Sequence, residues 1–326
     1  MDLIILGSGA ATPTKERNLS SIVIKFRNKL FLFDCGEDFQ RRFAEANLKF
    51  NKPMKIFITH FHGDHIIGLP GFLFRMSLNA RTAPMMIFGP QNLFQYLYFH
   101  RKILGLKAQY PIKIIEIDDQ NQELIEYDGL DSDVPTITKK ITDGIIFDSK
   151  YYSIRYALVD HSVITYAYAF IEKYRYGKFN QERAKELGIP ESYLRKKLQE
   201  GIPVEFNGKN INPIEEGIVG PKKLGRKITY SGDMKPCDSL IELGKNSNIL
   251  IHEATFAKAL ADTALDKKHS TSIDAASDAK KMNAKRLILT HISSRYQEDA
   301  QELLEEAIEI FPNTILAKDL LKITLK

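Results

Sequence analysis

The chain has 326 residues, 44% of them hydrophobic, a formal net charge of +5 and a pI near 8.9. That length fits one α/β core carrying an insertion, and the mildly basic balance is compatible with a nucleic-acid partner without requiring one. Cys35 and Cys237 form no CxxC pair, which argues against a disulfide framework or zinc ribbon. No apolar run reaches the ~20 residues of a membrane span, and MDLIILGSG, with its early Asp2, does not read as a signal peptide. A cytoplasmic enzyme with no membrane partner is the expectation.

Leu3 to Leu6 reads as a short strand closed by Gly7-Ser8-Gly9. Neither GxxxxGK[ST] nor GxGxxG is met, so this is a tight turn and not a nucleotide cradle. Ser21 to Phe26 and Leu30 to Asp34 flank Arg27-Asn28-Lys29 as a hairpin. In the turn Asp34-Cys35-Gly36-Glu37, Cys35 reads as a small buried residue. Asp34 is either a turn acid or a carboxylate that orients a nearby imidazole. Gln40 to Phe50 is helical in pattern. Ile56 to Thr59 is an apolar strand that ends at His60, and His-Phe-His-Gly-Asp-His follows.

This stretch puts three imidazoles and a carboxylate, His60, His62, Asp64 and His65, within six residues. Imidazole is the commonest metal ligand, and two residues apart on an extended backbone place His60 and His62 on one side. Gly63 is expected to supply a tight turn before Asp64 and His65, which could serve a second, adjacent ion. A histidine-rich surface loop is the competing reading, and the length of the pattern at a strand end outweighs it.

Downstream, a helix is expected from His65 to about Asn79, a strand at Met85 to Phe88 and a helix at Gln91 to Leu104. Strands follow at Ile112 to Ile117, Gly144 to Phe147 and Tyr151 to Val159, with a charged, irregular stretch between the first two. Asp160-His161 closes the last of these, before a strand from Val163 to Ile171. From Ile171 to Lys227 there are 13 Lys or Arg against 8 Asp or Glu, an excess equal to the chain's whole formal charge. Asn180 can cap a short helix ended by Gly188, and Pro190 can start a second one ended by Gly201. Arg195, Lys196 and Lys197 lie on the second helix; Lys222, Lys223 and Arg226 lie in the loop that closes the segment. Such an arm is either a solvated decoration or an electrostatic clamp on phosphates. Strands at Ile228 to Tyr230, Ile249 to His252 and Arg286 to Thr290 then end in Ser231-Gly232-Asp233, His252-Glu253-Ala254-Thr255 and His291. His269-Ser270-Thr271 precedes a helix from Ser272 to Met282, and Gln297 to Ile310 is an amphipathic helix.

THFHGDH resembles the signature of the metallo-β-lactamase superfamily. In this form it is most similar to the tRNase Z family, endonucleases that trim precursor tRNA at the 3′ end. The likeness covers nearly the whole chain: Gly7, Gly9, Thr12 and Pro13; Asp34-Cys35-Gly36-Glu37; Leu187-Gly188-Ile189-Pro190; Gly220-Pro221 with Gly225-Arg226; Ser231-Gly232-Asp233 with Pro236; the His252 and His269 motifs; and Ile292 to Tyr296. Asp38-Phe39-Gln40 departs from the family's Gly-Thr-Gln, and Glu191-Ser192 from its Gly-Pro.

The resemblance implies an αββα sandwich spanning residues 1–326, with a helical substrate-binding arm inserted at 171–227. It implies His60, His62, His161 and Asp233 around one ion, and Asp64, His65, His291 and Asp233 around the other, with Asp233 bridging. Two Zn²⁺ per subunit are implied, with Mn²⁺ a possible substitute given so much carboxylate. Asp64 would accept a proton from water, His269 would protonate the leaving oxygen, and Glu253 would orient His269. Arg195, Lys196, Lys197, Lys222, Lys223 and Arg226 would contact RNA. The partners implied are precursor tRNA and a second copy of the chain in a homodimer. A small-molecule phosphodiesterase or arylsulfatase on the same fold is the alternative.

Overall fold

The computed structural model describes residues 1–325 and is built on two large sheets. The first has nine strands in the order Lys322–Thr324, Asp2–Gly7, Ser21–Phe26, Lys29–Phe33, Met54–Phe57, Met85–Pro90, Ile112–Asp118, Glu123–Asp128 and Ile137–Lys140. The second has seven: Ile145–Asp148, Tyr152–Val159, Thr165–Glu172, Lys227–Tyr230, Ile249–Glu253, Leu287–Thr290 and Thr314–Leu316. Its last four strands run parallel, as do the four from Lys29–Phe33 to Ile112–Asp118 in the first sheet.

The two-residue period of a strand explains how the layers stack. In Lys29–Phe33, Leu30 and Leu32 enter a core with Phe39, Phe43, Leu69, Phe72 and Leu93, on the helices outside the sheet. The alternate residues Phe31 and Phe33 face the second sheet: Phe31 meets Phe170 at 4.9 Å, and Phe33 meets Tyr230 at 6.3 Å between ring centroids. Phe57 meets Tyr168 at 5.4 Å, and the Tyr168 hydroxyl donates across the layer to the Ile58 carbonyl at 2.7 Å. Strands buried on both faces read as unbroken apolar runs, which is why Ile56 to Thr59 is recognisable in the sequence. Helices Ser272–Lys281 and Gln301–Ile310 cover the second sheet. This is the expected αββα order.

Several local expectations differ. The charged stretch after Ile117 is not irregular: Glu123–Asp128 and Ile137–Lys140 pair antiparallel and extend the first sheet. Glu123–Asp128 is half-buried and Ile137–Lys140 is an exposed edge, and neither carries a clear apolar alternation, so the pairing is invisible in the sequence. Gly63 makes no left-handed turn; it is the first residue of the helix Gly63–Ile66, which Gly68–Leu78 continues after Ile67.

The chain divides into two compact units, one of Met1–Phe147, Ile154–Phe170 and Ile228–Lys326, the other of Asp148–Ser153 and Ile171–Lys227. The smaller unit has its own core of Ala184, Ile189, Leu198, Val204, Ile211, Ile218 and Val219. Asn180 caps Gln181–Glu186 by accepting from the Arg183 amide at 3.1 Å. The second helix is Tyr193–Gln199, capped by Ser192 and not begun by Pro190. A hairpin, Val204–Phe206 with Lys209–Ile211, completes the unit.

The fold rests on the ring cluster behind the His60 loop. Phe72 is fully buried, with Phe39 and Phe43 at 4.8 and 5.2 Å. Phe72→Ala should therefore cost about 3–5 kcal/mol, read as a shifted denaturant midpoint at unchanged slope.

Candidate metal centre and active site

Most groups of the centre come from a strand end or the turn after it. His60 follows Met54–Phe57, His161 follows Tyr152–Val159 and His291 follows Leu287–Thr290; Asp233 follows Lys227–Tyr230. His62 precedes the helix Gly63–Ile66, on which Asp64 and His65 lie. Backbone geometry aims these groups. His291 has φ 56° and Asp34 φ 57°; that left-handed conformation costs an ordinary residue roughly 1–2 kcal/mol. Gly232 (φ 63°) turns the chain where an added Cβ would meet Thr59 at 3.2 Å.

The rings are held from behind. His65 Nδ1 lies 2.7 Å from Asp34 Oδ2, His60 Nδ1 2.9 Å from Thr59 Oγ1, His291 Nδ1 2.8 Å from Thr255 Oγ1 and His161 Nδ1 2.8 Å from the Lys268 carbonyl. In all four the Nε2 is thereby turned inward. His65 Nε2 and His291 Nε2 stand 3.3 Å apart, and both lie within 3.3 Å of Asp233 Oδ2. His161 Nε2 faces His62 Nδ1 at 3.3 Å. Ligand atoms of His60, His62, His161 and Asp233 all fall within 4.8 Å of one another, as do those of Asp64, His65 and His291. The seven residues expected to hold metal are brought together.

Two buried atoms of the cluster suit a cation. His60 Nε2 and Asp233 Oδ1 have no hydrogen-bond partner, an arrangement that costs free energy unless a cation satisfies them. Burial pushes the imidazoles of His60, His62 and His161 below their usual value, which keeps them neutral as metal ligands must be. At His65 burial also opposes the charge, but Asp233 and Asp34 overturn it and raise the ring well above its usual value. A place that gathers a proton so strongly is one that a cation can take over. The residues fit divalent metal, and the imidazole-rich donor set suits a borderline ion.

Beside this centre, His269 Nδ1 lies 2.9 Å from Glu253 Oε1, and the Glu253 oxygens also accept from the Met234 amide and the Thr255 hydroxyl, each at 2.6 Å. Burial works against charge on His269, but the Glu253 carboxylate more than offsets it and pushes the ring up to about 9. Glu253 thus favours the protonated ring, which has its other nitrogen free of that contact. Its neighbour Thr271, not His269, caps the helix Ser272–Lys281. Asp64 Oδ2 accepts from the Ala11 amide at 2.8 Å and lies 3.3 Å from His291 Nε2. His62, Asp64, Asp233, His269 and His291 open together on a cleft of about 500 Å³. Thr59, Thr255, Tyr230 and the Ala11 amide have no role in the sequence reading. Thr59 and Thr255 left a signal, as the first residue of THFHGDH and the last of the His252 motif.

The basic candidates lie in the smaller unit. Lys196, Lys197, Lys222 and Lys223 are exposed, and Lys222 sits 3.4 Å over the Tyr174 ring. Arg195 and Arg226 are engaged inside the unit. The Arg195 guanidinium donates to the Ile189 carbonyl, Gln181 and Glu191, and Arg226 forks onto the buried Glu172. The loop that closes the segment is also less free than its composition implies, because Lys223–Leu224 pairs with Tyr174–Arg175.

A family model described as "Anti-Pycsar protein Apyc1" matches residues 1–119. The chain is 38% identical to Ribonuclease Z of Nitrosopumilus maritimus over all of both chains. It is 35% identical to Ribonuclease Z of Methanosarcina mazei over 98% of this chain and 97% of the other, and 37% identical to that of Enterococcus faecalis over 98% and 96%. The short form of human tRNase Z superposes over all of both chains with a TM-score of 0.67 at 25% identity. A metallo-β-lactamase fold protein of Bacillus subtilis superposes over 98% of this chain and 97% of the other with a TM-score of 0.62 at 16% identity, a likeness of fold.

The bond from Asp34 to His65 is directly testable. Losing such a supporting carboxylate typically lowers metal affinity 10–100-fold. Asp34→Ala should show a loss of about that size in chelator competition; unchanged affinity would make Asp34 a turn acid only.

Proposed function

The chain belongs to the ribonuclease Z family, and we propose that it removes the 3′ trailer from precursor tRNA by hydrolysing one phosphodiester bond. The observation that carries this reading is the His269–Glu253 pair at 2.9 Å beside the cluster of metal-competent residues. This pair supports reading His269 as a proton donor beside the phosphate that such a centre would bind.

His60, His62, His161 and Asp233 would hold one divalent ion, and Asp64, His65, His291 and Asp233 a second. Zn²⁺ is the choice that imidazole favours, and Mn²⁺ can substitute. Such ions supply a water made acidic enough to act at neutral pH, and charge to neutralise the phosphate oxygens. The Ala11 amide fixes Asp64 through Oδ2, so that the other carboxylate oxygen could take the proton of the attacking water. Attack on phosphorus breaks its bond to the 3′ oxygen of the tRNA, and His269 gives that oxygen its proton. The tRNA leaves with a 3′ hydroxyl and the trailer with a 5′ phosphate. Glu253 positions His269 and holds its charge.

In the smaller unit, exposed Lys196, Lys197, Lys222 and Lys223 suit the phosphates of the tRNA body. Arg195 and Arg226, tied to their own unit, contribute chiefly by shaping it. The family resemblance supports a homodimer in which the arm of one subunit holds the tRNA cut by the other, at work in the cytoplasm. Among the described residues no helix is long and apolar enough to cross a membrane. A small-molecule diesterase or arylsulfatase would have no use for such an arm, and full-length likeness to ribonuclease Z disfavours it.

The deciding experiment is cleavage of one trailer-bearing precursor tRNA by the metal-loaded protein, with both product ends mapped. A single cut leaving 3′ hydroxyl and 5′ phosphate supports the reading; hydrolysis of a small diester without that cut overturns it. His62→Ala should abolish cleavage and lower metal content together. His269→Ala should slow cleavage about 10²–10⁴-fold at normal metal content, and metal loss there would make the ring structural. Replacing Lys196, Lys197, Lys222 and Lys223 with Ala should weaken precursor binding. It should also flatten the salt dependence of that binding by roughly 0.7–0.9 for each phosphate no longer neutralised. Hydrolysis of a small chromogenic diester should stay intact.

A further inference from the structure

Arg295 is exposed at the mouth of the catalytic cleft, and among the described residues no carboxylate pairs with it. It is nevertheless held. Its guanidinium carbon sits 5.0 Å from the centre of the Phe256 ring, and its Nε donates to Ser293 Oγ at 3.2 Å. Phe256 is itself buried, 3% exposed, with its ring 6.0 Å from that of His269. Arg295, Phe256 and His269 thus form one continuous wall of the cleft, and the exposed Lys267 opens onto the same cleft. An arginine stacked on a ring loses less freedom on binding than a free one, and its remaining N–H groups form the planar fork that matches a phosphate.

We propose that Arg295 binds the first phosphate on the 5′ side of the cleaved bond and so sets the register in which the tRNA end enters the site. The inference rests on the reading above, in which His269 protonates the 3′ oxygen on the tRNA side. The strand that continues from that oxygen back into the tRNA then runs along the wall that begins at His269. Its next phosphate meets Arg295, the cation fixed on that wall. The scissile phosphate stays with Asp64, Asp233 and His291.

The test uses the metal-loaded full-length protein and two precursor tRNAs, one unmodified and one carrying a single uncharged methylphosphonate at the phosphate 5′ of the cut. Wild type is measured first on the unmodified precursor; failure there sinks the reading of the enzyme itself and is seen before any variant is made. Given that activity, Arg295→Ala should lower kcat/KM on the unmodified precursor by about 10–100-fold, the usual worth of one hydrogen-bonded charge. On the methylphosphonate precursor the same substitution should have little further effect, because the partner is already gone. Arg295→Lys should recover part of the loss. Hydrolysis of bis(p-nitrophenyl) phosphate, which has no second phosphate, should stay within about twofold of wild type. Two results would overturn the inference: losses from the substitution and the neutral linkage that multiply in full, or an equal loss on the small diester, which would make Arg295 a structural residue.

Discussion

The Asp34 carboxylate is the group on which the catalytic end of the molecule depends. It ends a strand of the first sheet, and its oxygens accept from the Thr59 amide at 2.8 Å and from the Thr59 hydroxyl. The Tyr230 hydroxyl of the second sheet donates to it at 2.9 Å, and His65 Nδ1 lies 2.7 Å away. One buried charge thus fastens both sheets and the metal loop. A buried carboxylate is tolerated only when such donors surround it, and surrounding it fixes the separation of the strand ends that carry the ligands. The sandwich and the metal centre are consequences of the same packing.

That arrangement divides the work among the side chains. The rings that face the metal sites are oriented by Asp34, Thr59, Thr255 and a carbonyl. His269, which lines the cleft beside them, is held by the Glu253 carboxylate through Nδ1. Burial lowers the rings of His60, His62 and His161, whereas neighbouring carboxylates overturn burial at His65 and His269 and raise them. Thr255 joins the two roles, donating to Glu253 and meeting His291. The smaller unit carries exposed lysines, and its Arg195 and Arg226 are engaged within the unit. The lysines there are flexible point charges, while the planar fork of Arg295 stands at the cleft.

By itself, the sequence determined what is local in the chain. The His60 to His65 cluster was legible because its members follow one another from a strand end into the helix Gly63–Ile66, where covalent spacing fixes their relation. The apolar runs at Ile56, Ile249 and Leu287 were legible because a strand buried on both faces leaves no polar alternation. Only the tertiary structure decided what depends on distant segments meeting. His161 reaches His62 across 99 residues and His65 reaches His291 across 226; the likeness to a known family, not the local pattern, assigned those partners in advance. The strands at Glu123–Asp128 and Ile137–Lys140 and the capture of Arg226 by Glu172 left no periodic or motif signal. Each is settled by an interaction between groups that no spacing along the chain relates, and packing alone chooses among the partners that such groups could take.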